Sequence, residues 1–197
     1  MDSYYTIEKP SVAEFKDRGS RFIAHAFSIE TKDDFKNRLA DIKKEHPKAT
    51  HHCFAYRLGF DGNDFRVSDD GEPAGSAGRP ILGQIDAKQL TNTLIIVVRH
   101  FGGTLLGVPG LIQAYKTAAS LALQTTPVIH KPIQVNFTFH FDYTQLNHVM
   151  KIIKLYNCVI VKQDIQLFCS IRIATPKDKS AEVLKRLTET GTVELVK

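Results

Sequence analysis

The chain has no apolar run approaching the roughly 20 residues that a helix needs to cross a bilayer. Its opening, MDSYYTIEKP, lacks the basic and then apolar stretch of a secretory leader. These absences exclude a helical membrane protein, and the expected compartment is the cytoplasm, with no membrane partner. Cysteine is scarce: Cys53, Cys158 and Cys169 are odd in number, far apart and without a CxxC pair. That excludes a disulfide scaffold or a thiolate zinc site and leaves reduced thiols. No GxSxG, HExxH or zinc-deaminase pattern occurs, and the glycines fit neither Walker nor Rossmann spacing. No catalytic residue, metal or cofactor is therefore called for.

What is present is an ordinary globular composition, 197 residues with 43% hydrophobic content, enough core for one large domain or two small ones. The net charge of +5 is uneven. Residues 1–125 hold 16 Lys and Arg against 15 Asp and Glu, a net +1, whereas residues 126–197 hold 10 against 6, a net +4. A basic surface of this kind suits an acidic partner such as RNA.

Patterning predicts strands at 4–7 and 21–29. A helix follows, with Thr31 as N-cap, Asp33 and Asp34 in its first turn, and a stop before Pro47. Residues 53–58 and 65–67 read as a hairpin, and 80–86 as a short helix begun by proline. The run LIIVV at 94–98 has the β-branched continuity of a strand buried on both faces, and 111–123 is a small-residue-rich helix. Residues 125–131, bounded by Pro127 and Pro132, read as a linker. Beyond it the pattern is strand 133–141 (Val135, Phe137, Phe139 and Phe141 on one side), helix 143–156, strands 159–162 and 167–174, helix 178–189 and strand 192–196. The class is α+β in two domains, 1–126 and 132–197, the second a βαββαβ unit of ferredoxin-like type.

Two polar loops carry the functional interest. The run SDDGEPAGSAGRP at 68–80 has nothing with which to build a core, and its glycines and prolines shape it. Asp69, Asp70 and Glu72 either gather a hard cation such as Mg²⁺ or form turns and pair with Arg66, Arg79 or Arg99. The second loop, RHFGGTLLGVPG at 99–110, leads from a central strand into a helix. Arg99, His100, Gly102 and Gly103 there either cradle an anion or simply permit a crowded connection. In the helix that follows, Tyr115 and Lys116 are a stacking and phosphate-binding pair or ordinary packing and surface. Cys53 beside His51 and His52 invites a thiolate reading, but neighbouring strand residues face opposite sides. In the basic tail, Lys151 and Lys154 on one helix and Lys185 and Arg186 on the next are candidate contacts to a nucleic-acid backbone.

Taken together, these segments resemble the YigZ/IMPACT family, in its bacterial two-domain form. The resemblance rests on Ser20, Arg21 and Phe22, on His52, Cys53, Ala55, Tyr56 and Arg57, on DDGEPAGSAGRP at 69–80, and on Arg99 to Gly103 with Gly107, Gly110, Ala114 and Tyr115. His100 stands where the family usually has an aromatic residue, and GVPG replaces a more glycine-rich run. The resemblance implies a first domain similar to the second domain of a small-subunit ribosomal protein and a tail similar to a C-terminal domain of elongation factor G. Eukaryotic members regulate translation through protein contacts under amino-acid starvation. The expected role is thus translation-associated binding to RNA, the ribosome or a protein partner. The alternative is a Mg²⁺-dependent enzyme acting on a phosphorylated or nucleotide-like small molecule.

Overall fold

The computed structural model describes residues 2–189 and 191–196. It divides into two units, Tyr4–Lys131 and Pro132–Lys197, the latter joined by the few residues ahead of Tyr4. The terminal residues of the two expected domains, Met1 and Lys197, lie outside the described residues.

The first unit contains β1 (Ser3–Ile7), β2 (Ser11–Asp17), β3 (Ser20–Ser28), α1 (Lys32–Glu45), β4 (His51–Leu58), β5 (Asp64–Ser68), α2 (Gly78–Ala87), β6 (Thr93–His100), α3 (Gly107–Gln124) and β7 (Val128–Pro132). The LIIVV run lies in β6, the central strand of a sheet ordered β2-β3-β6-β4-β5 with antiparallel neighbours. Both its faces are covered, which is why it is apolar throughout rather than alternating. Ile95 and Val97 turn with Phe22, Cys53 and Ala55 towards Ala114, Tyr115, Ala118 and Ala122 of α3. Leu94, Ile96 and Val98 turn with Phe54 and Tyr56 towards Phe35 and Ile42 of α1. Alanines on α3 let that helix lie close to the sheet.

Thr31 caps α1 as expected. Its hydroxyl accepts from the Asp34 amide at 3.1 Å, while the Asp34 carboxylate accepts from the Thr31 amide at 2.9 Å. Two strands were not expected. β2 pairs along its whole length with β3, and the segment read as a linker contains β7, which pairs with β1. Prolines at its ends are compatible with a short two-stranded pairing. Helix α3 also starts at Gly107 rather than 111, because a proline is tolerated in a first turn whose N–H groups lack helical partners.

The second unit is β8 (Gln134–Asp142), α4 (Leu146–Leu155), β9 (Val159–Asp164), β10 (Phe168–Pro176), α5 (Ser180–Thr188) and β11 (Val193–Val196), the βαββαβ order. Its antiparallel sheet runs β11-β8-β10-β9. Phe139, Phe141, Cys169, Ile171 and Ile173 pack against Val149, Ile152 and Ile153 of α4 and Val183 and Leu187 of α5. No helix among the described residues is long and apolar enough to cross a membrane. Replacing Thr31→Ala removes one half of the α1 capping box and should lower the unfolding free energy in urea by about 1 kcal/mol.

Candidate functional site

Antiparallel pairing brings the β2–β3 turn, the start of β4, the end of β5 and the end of β6 to one end of the five-stranded sheet. Both polar loops leave from there, one joining β5 to α2 and the other β6 to α3. Register places Arg99 between Phe22 on β3 and His51 on β4. Arg99 Nη1 donates to Glu72 Oε1 at 2.7 Å, and the two side chains are only 6% and 4% exposed. The Tyr115 hydroxyl donates to the same oxygen at 2.7 Å, and Arg99 Nη2 donates to Ser20 Oγ at 3.3 Å. His51 Nε2 stands 3.8 Å from the other Glu72 oxygen. The guanidinium lies 5.4 Å from the ring centres of both Phe22 and Phe101.

The other acids face different donors. Asp69 accepts from the amides of Gly75, Ala77 and Gly78 at 2.8, 3.0 and 2.8 Å, holding the loop against the start of α2. Burial alone would raise its carboxyl pKa, but these three amides, with Arg79 nearby, bring it below the ordinary value. Asp70 accepts from the His52 amide at 2.7 Å and adopts a left-handed φ of 41°. Its carbonyl accepts from His51 Nδ1 at 2.7 Å, which fixes that histidine's tautomer. Among the described residues no three His, Cys, Asp or Glu side chains gather as a metal site. The geometry thus follows the turn-and-pairing alternative, with Arg99 as the partner of Glu72.

Cys53 lies inside the same cluster, its sulfur 3.0 Å from the Asp69 carbonyl oxygen and 3.3 Å from the Tyr115 hydroxyl. Burial pushes the thiol far up; the neighbouring carboxylates add to this, although the Tyr115 contact works against it. Tyr115 is pushed up as well, first by burial and then by Cys53. In both groups burial favours the neutral form over the thiolate or phenolate.

The glycine loop is held from within. A Cβ on Gly102 would fall 1.9 Å from the Gly19 carbonyl carbon and 2.3 Å from the Ser20 nitrogen, so only glycine lets the chain leaving β6 pass the β2–β3 turn here. The Gly102 amide donates to Ser20 Oγ at 3.2 Å and the Phe101 amide to Thr50 Oγ1 at 3.2 Å. Two amides that the anion-cradle reading would use are therefore already engaged. Gly103 remains exposed, and α3 begins with no side-chain cap and no acid in its first turn.

The expected site residues divide three ways. Asp69, Asp70, Glu72, Arg99, Gly102 and Tyr115 converge as the framework of the two loops. Arg79, Gly103 and Lys116 lie exposed on those loops or the helices they lead into. His100 departs: β6 continues through it, and strand alternation sends it to the α1 face, 5.8 Å from the His46 ring. There burial, with His46 and Arg21 nearby, lowers its pKa. Lys151, Lys154, Lys185 and Arg186 are exposed on α4 and α5 of the second unit. Ser20 and His51 belong to the framework without having been expected there. His51 was reachable from sequence, since it lies two residues from Cys53 on the same strand.

The sequence profile of the Impact N-terminal domain matches residues 18–123, more than half of the chain and the whole of this loop framework. The chain is 33% identical over 194 residues to the IMPACT family member YigZ of Escherichia coli, spanning 96% of this chain and 94% of that protein. The chain belongs to the IMPACT family. An IMPACT family member of Haemophilus influenzae is 34% identical over 198 residues, covering 100% of this chain and 96% of its own length. The rat Protein IMPACT is 34% identical over 100 residues, which is 48% of this chain and 31% of that protein. A crystal structure described only as that of a hypothetical protein superposes with a TM-score of 0.78 at 31% identity, covering 100% of this chain and 97% of the other.

Arg99→Ala leaves the Glu72 carboxylate buried without its cation and should lower the unfolding free energy in urea by about 3–5 kcal/mol. The double variant Glu72→Leu/Arg99→Met should recover much of that loss. Because folding lowers the Asp69 pKa, its contribution is complete above the unfolded carboxylate value and disappears as pH falls through the lower folded one. The stability gap between the unaltered chain and Asp69→Asn, followed by denaturation across pH 2–7, should thus be widest at neutral pH and close at the acid end.

Proposed function

We propose that this chain is a cytoplasmic, translation-associated binding protein that contacts RNA or the ribosome. Its domains under this reading are 1–126, with the fold of the ribosomal-protein second domain, and 132–197, with the ferredoxin-like fold. The observation that carries the proposal is the inward use of the signature residues. Glu72, Arg99, Tyr115, Cys53 and Asp69 bond to one another and to neighbouring backbone groups, leaving only Arg99 Nε of the Glu72–Arg99 pair without a partner, and no three metal-ligating side chains converge among the described residues. Such an arrangement fixes the shape of two loops rather than performing chemistry. It leaves a preformed outer surface carrying Pro73, Ala74, Arg79, Gly103 and Lys116. Membership of a family whose eukaryotic members regulate translation supports the same reading, as does the basic second unit.

A protein contact, on the ribosome or elsewhere, is favoured as a second reading by the exposed apolar side chains of Phe101, Leu105, Val108 and Ile112, which are 46%, 82%, 45% and 39% exposed. Binding to purified ribosomes and structured RNA, measured across a salt series, separates the two. RNA contact should give an affinity that falls linearly on a log–log plot, and Arg79→Ala/Lys116→Ala should reduce the slope by about 1 for each phosphate that is no longer neutralised. Ribosome binding that is insensitive to salt and to this pair, yet abolished by Leu105→Ala, would assign the contact to protein. Absence of binding to either would refute the proposal.

A further inference from the structure

The four-stranded sheet of the second unit has helices on one face only, and the register specifies what the other face carries. Thr138 and His140 on β8 stand opposite Arg172 and Ser170 on β10, which stand opposite Lys162 and Asp164 on β9. Directly opposed residues share a face, so these six side chains form one surface, which Glu194 and Val196 of β11, opposite His140 and Thr138, continue beyond β8. Phe168 extends it at the start of β10; it is 62% exposed, and its ring lies edge-on to His140 at 5.8 Å.

Three features of this surface lack a purpose within the fold. Lys162 and Arg172 are like charges directly across from one another, an unfavourable cross-strand pair, and neither forms an ion pair among the described residues. Phe168 exposes most of an aromatic ring on a sheet whose other face already supplies the core. Thr138, Lys162, Asp164, Ser170 and Arg172 line a shallow depression of about 310 Å³. An anion between the two cations would relieve their repulsion, and a flat π-system would cover the ring. The depression offers hydroxyls and one carboxylate, groups that pair with base edges. A uniform polyanion would be repelled by Asp164, whereas a base amino group would be accepted by it.

We propose that this open face binds single-stranded RNA, with a base stacked on Phe168 beside His140 and the neighbouring phosphates held by Lys162 and Arg172. Phe168 and Arg172 are four residues apart on one strand, about 13 Å, so one short RNA segment can reach both. Four-stranded sheets with aromatic side chains on their central strands recognise unpaired bases in this way. The helical face, where Lys151, Lys154, Lys185 and Arg186 were expected to act, has no aromatic ring on which a base could stack, since α4 and α5 contain no Phe, Tyr or Trp. This inference rests on the RNA reading above and adds to it a face on the second unit.

The test is fluorescence anisotropy of the full chain with a labelled oligouridylate of about 12 nucleotides, across a salt series, beside a parallel ribosome-binding measurement. Phe168→Ala should weaken oligouridylate binding roughly tenfold with the salt slope unchanged. Lys162→Ala/Arg172→Ala should reduce the slope by about 1 to 2. Alanine at Lys151, Lys154, Lys185 and Arg186 together should change affinity less than Phe168→Ala alone. Phe168→Leu keeps apolar bulk without the ring; it should bind as weakly as Phe168→Ala, with the thermal midpoint of the unaltered chain. If the unaltered chain binds but the Phe168 and Lys162/Arg172 variants bind equally well, the face is wrong and the broader RNA reading stands. If the chain binds ribosomes but no oligouridylate, this inference alone fails. Self-association abolished by Phe168→Ala without any change in RNA binding would assign the face to a second copy and overturn it.

Discussion

The ion pair between Glu72 and Arg99 is the constraint around which the first unit is arranged. Two charges removed almost entirely from water are tolerated only when their remaining hydrogen-bonding capacity is met. Tyr115 from α3, Ser20 from β3 and His51 from β4 supply or approach most of that capacity, with Arg99 Nε left unpartnered, while Phe22 and Phe101 flank the guanidinium. Five separated parts of the sequence are thereby obliged to meet at one point. The shape of the 69–77 loop, the path of the chain past Gly19 and the placement of α3 all follow from that meeting.

This inward arrangement changes the meaning of the signature residues. An aspartate-rich loop next to an arginine and a glycine run reads easily as a metal and phosphate site. Here Asp69 is an amide cap, Asp70 holds a left-handed corner, and Glu72 neutralises the arginine. Residues that look ready for a ligand are instead bonded to one another and to the loop backbone. In the second unit the converse holds: its core is ordinary, and the unexplained chemistry lies on the uncovered sheet face.

Much of the fold was legible where local physics decides it. The Thr31 cap, the β6 run and the alternation of β8 needed no knowledge of distant partners. β2 and β7 were not legible, because their definition depends on strands they pair with rather than on their own composition, and β7 follows Pro127 and ends on Pro132, residues that ordinarily mark a break. The early start of α3 was hidden because glycine and proline read as loop even where a first helical turn accepts them. At the site, the sequence indicated the two loops and the pairing options of Arg99. Nothing in it signalled that Ser20 would receive both the guanidinium and the Gly102 amide, since a serine at the head of a strand is ordinary until the fold brings residue 102 to it. His100 was grouped with Arg99 because a loop was assumed where the strand in fact continues.

The pairing of β1 with β7 also bears on how the chain is made. The first strand leaves the ribosome early, yet its partner ends at Pro132, so at about 5–20 residues per second it waits on the order of ten seconds before it can pair. During that interval a β-prone segment containing Tyr4, Tyr5 and Ile7 has an open edge. Tyr5 and Thr6 also bond to residues 91–93, which emerge before β7, so synthesis order leaves one edge of β1, rather than the whole strand, open to misassociation until β7 appears.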